Sequence, residues 1–401
     1  MKISFKLFAL LITYTAYGQQ ADSFAFLGNS FDKNWRPNSI KITADGNVSS
    51  NAINTTMFTD VFIRTKFTPA AKQKFVDGQQ QKVNLYSFAS VDAEYKLSNT
   101  WGVYAKTFAM NGYSGEKQLT ELLFFGNAPF MDKQVESRGL RFLSYAGFGV
   151  GATYKLNNTE KLQAKVLFGL NALSSHKAVS SAKISLYTAP MGEYIDASVA
   201  QFAFSEQTDG TIKGVGVDLG LDLSYAINNK NSIGLALRDL NLTRMLDYTS
   251  IELDTSLRFT GIGYDFIRDT NTLQQYVDSN YLPIVENARE KLKWTTLPSR
   301  INLTWNHKLS KNSTLVTSLQ SVDIGKYGIT GTVGLGHEFT NRFKLYSSLG
   351  YGNYSGILWQ EAVEYRFKRL NVYASVQGLH AIFVPKIATN YGVSLGITTH
   401  F

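Results

Sequence analysis

The sequence predicts an all-β fold: a transmembrane antiparallel β-barrel of about 14 strands, with an N-terminal plug segment and helical extracellular loops. Three observations carry that expectation. A short polar turn motif recurs six times, apolar and polar residues alternate with period two between the turns, and the chain stops on an aromatic residue.

The turns come first, because self-similarity sets topology. Each has an aromatic or His, a variable residue, an apolar residue and then a polar pair. They are Tyr95–Asn99, Tyr154–Asn158, Tyr225–Asn229, His307–Lys311, His337–Asn341 and Tyr365–Arg369. Asn, Ser, Thr and Lys supply hairpin chemistry, and Asn tolerates the left-handed backbone such turns need. Six hairpins give twelve strands. An opening strand near residues 56–67 and a closing strand near 389–401 complete an even number.

The segments between turns alternate. Val217, Leu219, Leu221, Leu223 and Tyr225 share one face, with Asp218, Asp222 and Ser224 on the other. Val363, Tyr365 and Phe367 alternate with Glu364, Arg366 and Lys368. A soluble sandwich alternates too. Strands of ten residues or more, with aromatics beside the turns, favour a membrane wall and its interfacial girdle. The last strand puts Tyr391, Val393, Leu395, Ile397, Thr399 and Phe401 on one face. A C-terminal Phe401 after such a face resembles the signal read by the outer-membrane barrel assembly machinery.

Residues 1–18 read as a secretory signal peptide: Lys2 and Lys6 flank an apolar run, and Ala16 and Gly18 are small residues at a cleavage spacing. Residues 19–55, with Phe24, Phe26 and Trp35, are expected to form a plug or periplasmic segment ahead of a barrel spanning 56–401. Two connections look helical, Gly115–Gly126 and Asp269–Lys293, the second broken by Pro283. Lys183–Thr188 and Glu193–Ser205 are candidates for strands rising above the barrel rim.

The remaining features are mostly exclusions. The chain has 401 residues and no Cys, so disulfides and thiolate metal sites are excluded. No segment reaches the roughly 20 apolar residues of a spanning helix. The net charge of +9 is scattered rather than clustered, which argues against nucleic acid. The His residues at 176, 307, 337, 380 and 400 are dispersed, and no nucleophile, phosphate-loop or metal motif accompanies them. The expectation is therefore a non-enzyme that needs no cofactor. Lumen candidates are the charges on polar strand faces: Asp218, Asp222, Arg238, Glu364 and Arg366, together with Asp92, Glu94 and Lys165. Phe24, Phe26 and Trp35 are added as plug-borne ligand candidates.

Several segments carry a family resemblance: Leu122–Asn127, Leu162–Leu173, Gly216–Gly220, Leu237–Leu240, Leu297–Arg300 and the closing strand to Phe401. In this order they resemble an uncharacterised barrel family of the Bacteroidota outer membrane and, more distantly, FadL- and PorV-type barrels. The resemblance implies fourteen strands, an N-terminal plug, and transport of a hydrophobic or amphipathic small molecule across the bacterial outer membrane. Its alternative is a non-transporting structural or accessory subunit of an outer-membrane protein complex. The expected partners are outer-membrane lipid and either a small-molecule cargo or an outer-membrane protein. Arg36-Pro37-Asn38 stands where those barrels have Asn-Pro-Ala, so no ligand residue carries over.

Overall fold

A computed structural model describes residues 37–52, 54, 68–156, 159, 161–207, 211–246, 248–259, 289–290, 294–323, 327–352, 356–384 and 388–401. The signal segment, Phe24, Phe26, Trp35 and residues 56–67 lie outside them.

Fourteen strands close into one antiparallel ring. Its first half is β1 (Ser39–Ser50), β2 (Lys82–Lys96), β3 (Trp101–Glu116), β4 (Gln134–Lys155), β5 (Leu162–Thr188), β7 (Gly214–Ala226) and β8 (Asn231–Met245). It continues through β12 (Arg300–Lys308), β13 (Ser313–Asp323), β14 (Tyr327–Glu338), β15 (Phe343–Gly352), β16 (Gly356–Arg366), β17 (Leu370–Gln377) and β18 (Asn390–His400). β1 closes the ring by pairing with both β2 and β18, Ser39 lying opposite Lys96 and His400. Closure leaves no ring edge unpaired.

The six turn motifs join β2–β3, β4–β5, β7–β8, β12–β13, β14–β15 and β16–β17. All lie at one end of the ring, with both termini of the barrel. Side chains cap them: Asn228 Oδ1 accepts from the Asn231 amide at 2.8 Å, and Ser98 Oγ accepts from the Trp101 amide at 2.9 Å.

One boundary needs correction. The barrel begins at Ser39, inside the 19–55 segment assigned from sequence to a plug. Ser39, Lys41, Thr43, Asp45, Asn47 and Ser49 alternate with Ile40, Ile42, Ala44, Gly46 and Val48. Ala44 and Gly46 are too small to mark an apolar face, which is why the alternation hides.

Beyond the ring, β5 outruns β7, and its upper half pairs with β6 (Ile195–Gln207), which pairs with β9 (Tyr248–Phe259). This sheet rises from the loop end. Two short strands join the same region: β10 (Arg289–Glu290) on β9 and β11 (Trp294–Thr295) on β8. Arg289–Glu290 is thus extended where the sequence pattern suggested helix; the rest of that stretch, 269–288 and 291–293, lies outside the described residues. Helix α1 (Pro69–Asp77) follows β1, α2 (Lys117–Phe125) joins β3 to β4, and α3 (His380–Phe383) joins β17 to β18. Gly126, at φ 72°, ends α2, its amide donating to the Leu122 carbonyl at 2.9 Å.

The barrel is apolar outside and largely polar inside. Every ring strand shows at least one exposed large apolar residue on its outer face, from Ile42 on β1 through Leu170 on β5 and Leu349 on β15 to Leu395 on β18. Rings cluster at the turn end, Trp101 on Tyr154 at 4.6 Å and Tyr365 on Phe367 at 4.7 Å. Glu361 interrupts the outer belt and accepts from Ser347 Oγ at 2.5 Å and Trp359 Nε1 at 2.7 Å. Inward positions are buried Thr43, Asn47, Thr153, Asn171, Thr304, Ser318, Thr332, Gln360 and Ser394.

Candidate functional site

The inward face changes character along β2. From the loop end it runs Tyr86, Phe88, Ser90, Asp92, Glu94: aromatic, small, then charged. The same order on β3 is Met110, Phe108, Lys106, Tyr104. The lumen is therefore tiered.

The charged tier surrounds a cavity of about 330 Å³. Lys106 Nζ lies 2.7 Å from Asp218 and 2.8 Å from Asp239. Arg300 Nε closes on the other Asp239 oxygen at 2.6 Å, and Tyr104 donates to Asp218 at 3.1 Å. Nearer the turns, Arg238 pairs in a two-pronged fashion with Asp222 at 2.5 and 2.6 Å. Lys165 bridges Asp222 at 3.5 Å to Glu94 at 3.7 Å, and Thr153 donates to Glu94 at 2.9 Å. Paired, hydrogen-bonded charges tolerate burial that single charges do not.

A bulge makes this arrangement. Leu219 faces Leu240 and Leu221 faces Leu237, so Arg238 and Asp239 together oppose Gly220. Asp239 takes φ 57°, a left-handed conformation that Asp accepts more readily than most residues. Neighbours in sequence, which a regular strand would send to opposite faces, both enter the lumen. Glycines make room elsewhere. A Cβ on Gly151 would lie 2.7 Å from the Tyr104 ring and 2.4 Å from the Phe168 carbonyl.

The apolar tier sits at the loop end. Tyr86, Phe88, Met110, Tyr145, Leu173, Met245, Leu297 and Val322 are buried together, with Phe108 and Leu143 against them. Leu297 reaches this tier from the segment before β12, its amide held by Asn241 Oδ1 at 2.8 Å. The tiers touch: the Arg300 guanidinium lies 4.2 Å over the Phe88 ring, and Lys106 Nζ lies 5.5 Å from that of Phe108.

Of the residues singled out from sequence, Asp218, Asp222 and Arg238 line the cavity, as do Asp92, Glu94 and Lys165. Glu364, fully buried, pairs with Arg366 at 2.6 Å on β16, outside the cavity lining. Phe401 ends the closing strand, 75 % exposed, its amide donating to the Asn38 carbonyl at 3.0 Å. Sequence reasoning missed Asp45, Lys106, Asp239 and Arg300. The signal for Asp239 was present as a slip of phase, odd apolar positions up to Leu237 giving way to Leu240 and Leu242.

Charges outside the ring are simpler. Arg258 grips Asp196 at 2.6 and 2.8 Å on the projecting sheet and holds its carboxyl below the ordinary range. Burial alone lowers the imidazole of His380, neither nitrogen of which has a hydrogen-bond partner among the described residues. Among the described residues no group of three or more His, Cys, Asp or Glu is placed to hold a metal, and no helix is long and apolar enough to cross a membrane.

A family described as a family of unknown function, DUF5723, matches residues 35–376, and the chain belongs to it. No curated protein matches. Among solved structures the chain is similar to the toluene transporter TbuX of Ralstonia pickettii, at 10 % identity and TM-score 0.43 over 91 % of this chain and 90 % of that one. A Pseudomonas aeruginosa FadL homologue gives 8 %, 0.45, 91 % and 90 %. The Pseudomonas putida toluene transporter TodX gives 10 %, 0.42, 93 % and 92 %.

Proposed function

We propose that this DUF5723 barrel sits in the bacterial outer membrane and admits a small amphipathic molecule through its lumen. The outward apolar belt on every ring strand supports membrane insertion, since a closed barrel satisfies the backbone groups of its strands in hydrocarbon. The turn end, with both termini, then faces the periplasm and the projecting sheet faces outward. The observation that carries the transport reading is the tiered lumen: an apolar tier resting directly on a charged cavity. A cavity of about 330 Å³ lies at the small end of the ~300–1,000 Å³ typical of ligand sites. A wholly apolar cargo would have to desolvate the lining carboxylates and their partners; a molecule with one polar end matches both tiers.

The test is flux. Barrel reconstituted in liposomes should pass short alkyl solutes carrying a polar head and exclude trisaccharides of larger cross-section. Flux no greater than that of empty liposomes, from protein shown to be folded by heat-modified migration, would remove the transport reading. The projecting β5–β6–β9 sheet supports the second reading, an accessory subunit of an outer-membrane complex, which that negative result would favour.

A further inference from the structure

We infer that the upper edge of the charged cavity binds the cationic head of its amphipathic molecule, with Asp45 and Asp92 as the receiving carboxylates. This rests on the transport reading above and names the substrate class.

The argument is a balance of charge between two levels. At the lower level Glu94 and Asp222 face Lys165 and Arg238, and both also feel Lys41. At the upper level four carboxylates, Asp45, Asp92, Asp218 and Asp239, face Lys106 and Arg300, and Asp45 also feels Lys41, which it shares with Glu94 and Asp222 below. Lys106 and Arg300 are committed to Asp218 and Asp239 at 2.6–2.8 Å. Asp92 has the Ser90 hydroxyl at 3.0 Å, Asp45 has the Ser394 hydroxyl, and neither has an ion pair among the described residues. Asp45 and Asp92 nevertheless feel one another's charge. Asp218, 4 % exposed, keeps a second carboxylate oxygen without a hydrogen-bond partner among the described residues. Ionised, the upper level holds four carboxylates against Lys106, Arg300 and a Lys41 shared with the lower level, and no direct ion pair reaches Asp45 or Asp92 among the described residues. Uncompensated carboxylates away from water are costly, and a ligand cation removes that cost.

The surroundings select the rest of the ligand. Asp45, Asp92 and Asp218 all line the cavity. Immediately toward the loop end stand Phe88 and Phe108, already carrying Arg300 and Lys106 against their rings. Aromatic faces beside carboxylates suit an alkylammonium, whose charge is attracted by both and whose chain is accepted by the apolar tier. An alkyl carboxylate meets the same aromatics but is repelled by the uncompensated pair.

The experiment is calorimetric titration of the full barrel in nanodiscs, against empty nanodiscs, with hexyltrimethylammonium, hexanoate and hexanol. The expected result is binding of the cation at least about tenfold tighter than of either other ligand, the size of one charge-assisted contact. Asp92→Asn and Asp45→Asn should each remove about that factor, while Glu361→Gln on the outer wall leaves affinity unchanged. The three-ligand series on the unsubstituted barrel decides the matter even if an Asn variant fails to fold. Hexanoate or hexanol binding as tightly as the cation would overturn the inference and leave the transport reading in place. Cation affinity that survives both Asn substitutions would overturn it too. Absence of all binding alongside liposome flux would discard the cationic site but not the channel.

Discussion

The two arcs of the barrel wall are built from one pattern to opposite ends. From β1 to β12 the strands reach 27 residues, bulge at Arg238–Asp239, and send inward the acids and bases that line the cavity. From β13 to β18 they are 8–12 residues long and regular, and their inward face is mainly Ser, Thr, Gly, Gln and Tyr. There Ser318 meets Thr332 at 2.6 Å, and Val316, Tyr346, Ala362 and Tyr373 pack together. Neutral hydroxyls both donate and accept, so they pair across the pleat without the matching of sign that charges need. Ion pairs must be aimed, and irregularity in the strands supplies the aim. One arc is a wall; the other is a wall that also lines a charged cavity.

The contrast is broken most severely at Asp239, which serves both Lys106 and Arg300. Asp239→Ala strands Arg300 and leaves Lys106 with Asp218 alone, and breaking a buried pair this way costs roughly 3 kcal/mol or more. The midpoint of urea unfolding in detergent should fall accordingly. A change below about 1 kcal/mol, the level of an exposed pair, would mean water already screens this network. Next come the glycines beneath tyrosines. Gly151→Val would press on Tyr104 in the charged arc, and Gly334→Val on Tyr346 in the neutral one, where a Cβ would lie 2.6 Å from the hydroxyl. Each should destabilise by about 1–3 kcal/mol as overpacking. Only Gly151→Val should also weaken ligand binding, because Tyr104 holds Asp218; equal binding by both variants would contradict that link. Ser318→Ala, within the neutral arc, should cost only about 1 kcal/mol, one ordinary hydrogen bond.

The smallest effect concerns His380, on the loop that borders the neutral arc. Its folded imidazole is held below its ordinary range, so the ring stays neutral while an unfolded one titrates near pH 6.5. Stability from closing this loop is present above that pH and is lost as pH falls through it. Amide exchange over residues 378–384, corrected for intrinsic rates, should quicken at pH 5 relative to pH 8. Unchanged protection would show the ring to be solvated.

What the chain discloses without coordinates follows from range. The six turns are readable because turn chemistry resides in four or five adjacent residues, and hairpins fix the strand count. The opening strand was misplaced because Ala44 and Gly46 interrupt the apolar series of its outer face between Ile42 and Val48. Asp218, Asp222 and Arg238 announce themselves as charges on polar faces, but their partners are set by shear between strands far apart in sequence. Lys106 and Asp239 are separated by 133 positions. No local pattern joins them, and only the slip of phase at Leu237–Leu240 hinted that the strand was re-aimed there.

The seam between β1 and β18 has a temporal consequence. Ser39 cannot find His400 until the last residues of the chain exist, so the ring stays open throughout synthesis. Until then two strands expose bare edges, and the lumen's charges have no enclosure. Contacts of such long separation form slowly. The ring therefore shuts only once β18, the strand just before Phe401, has been made and meets β1.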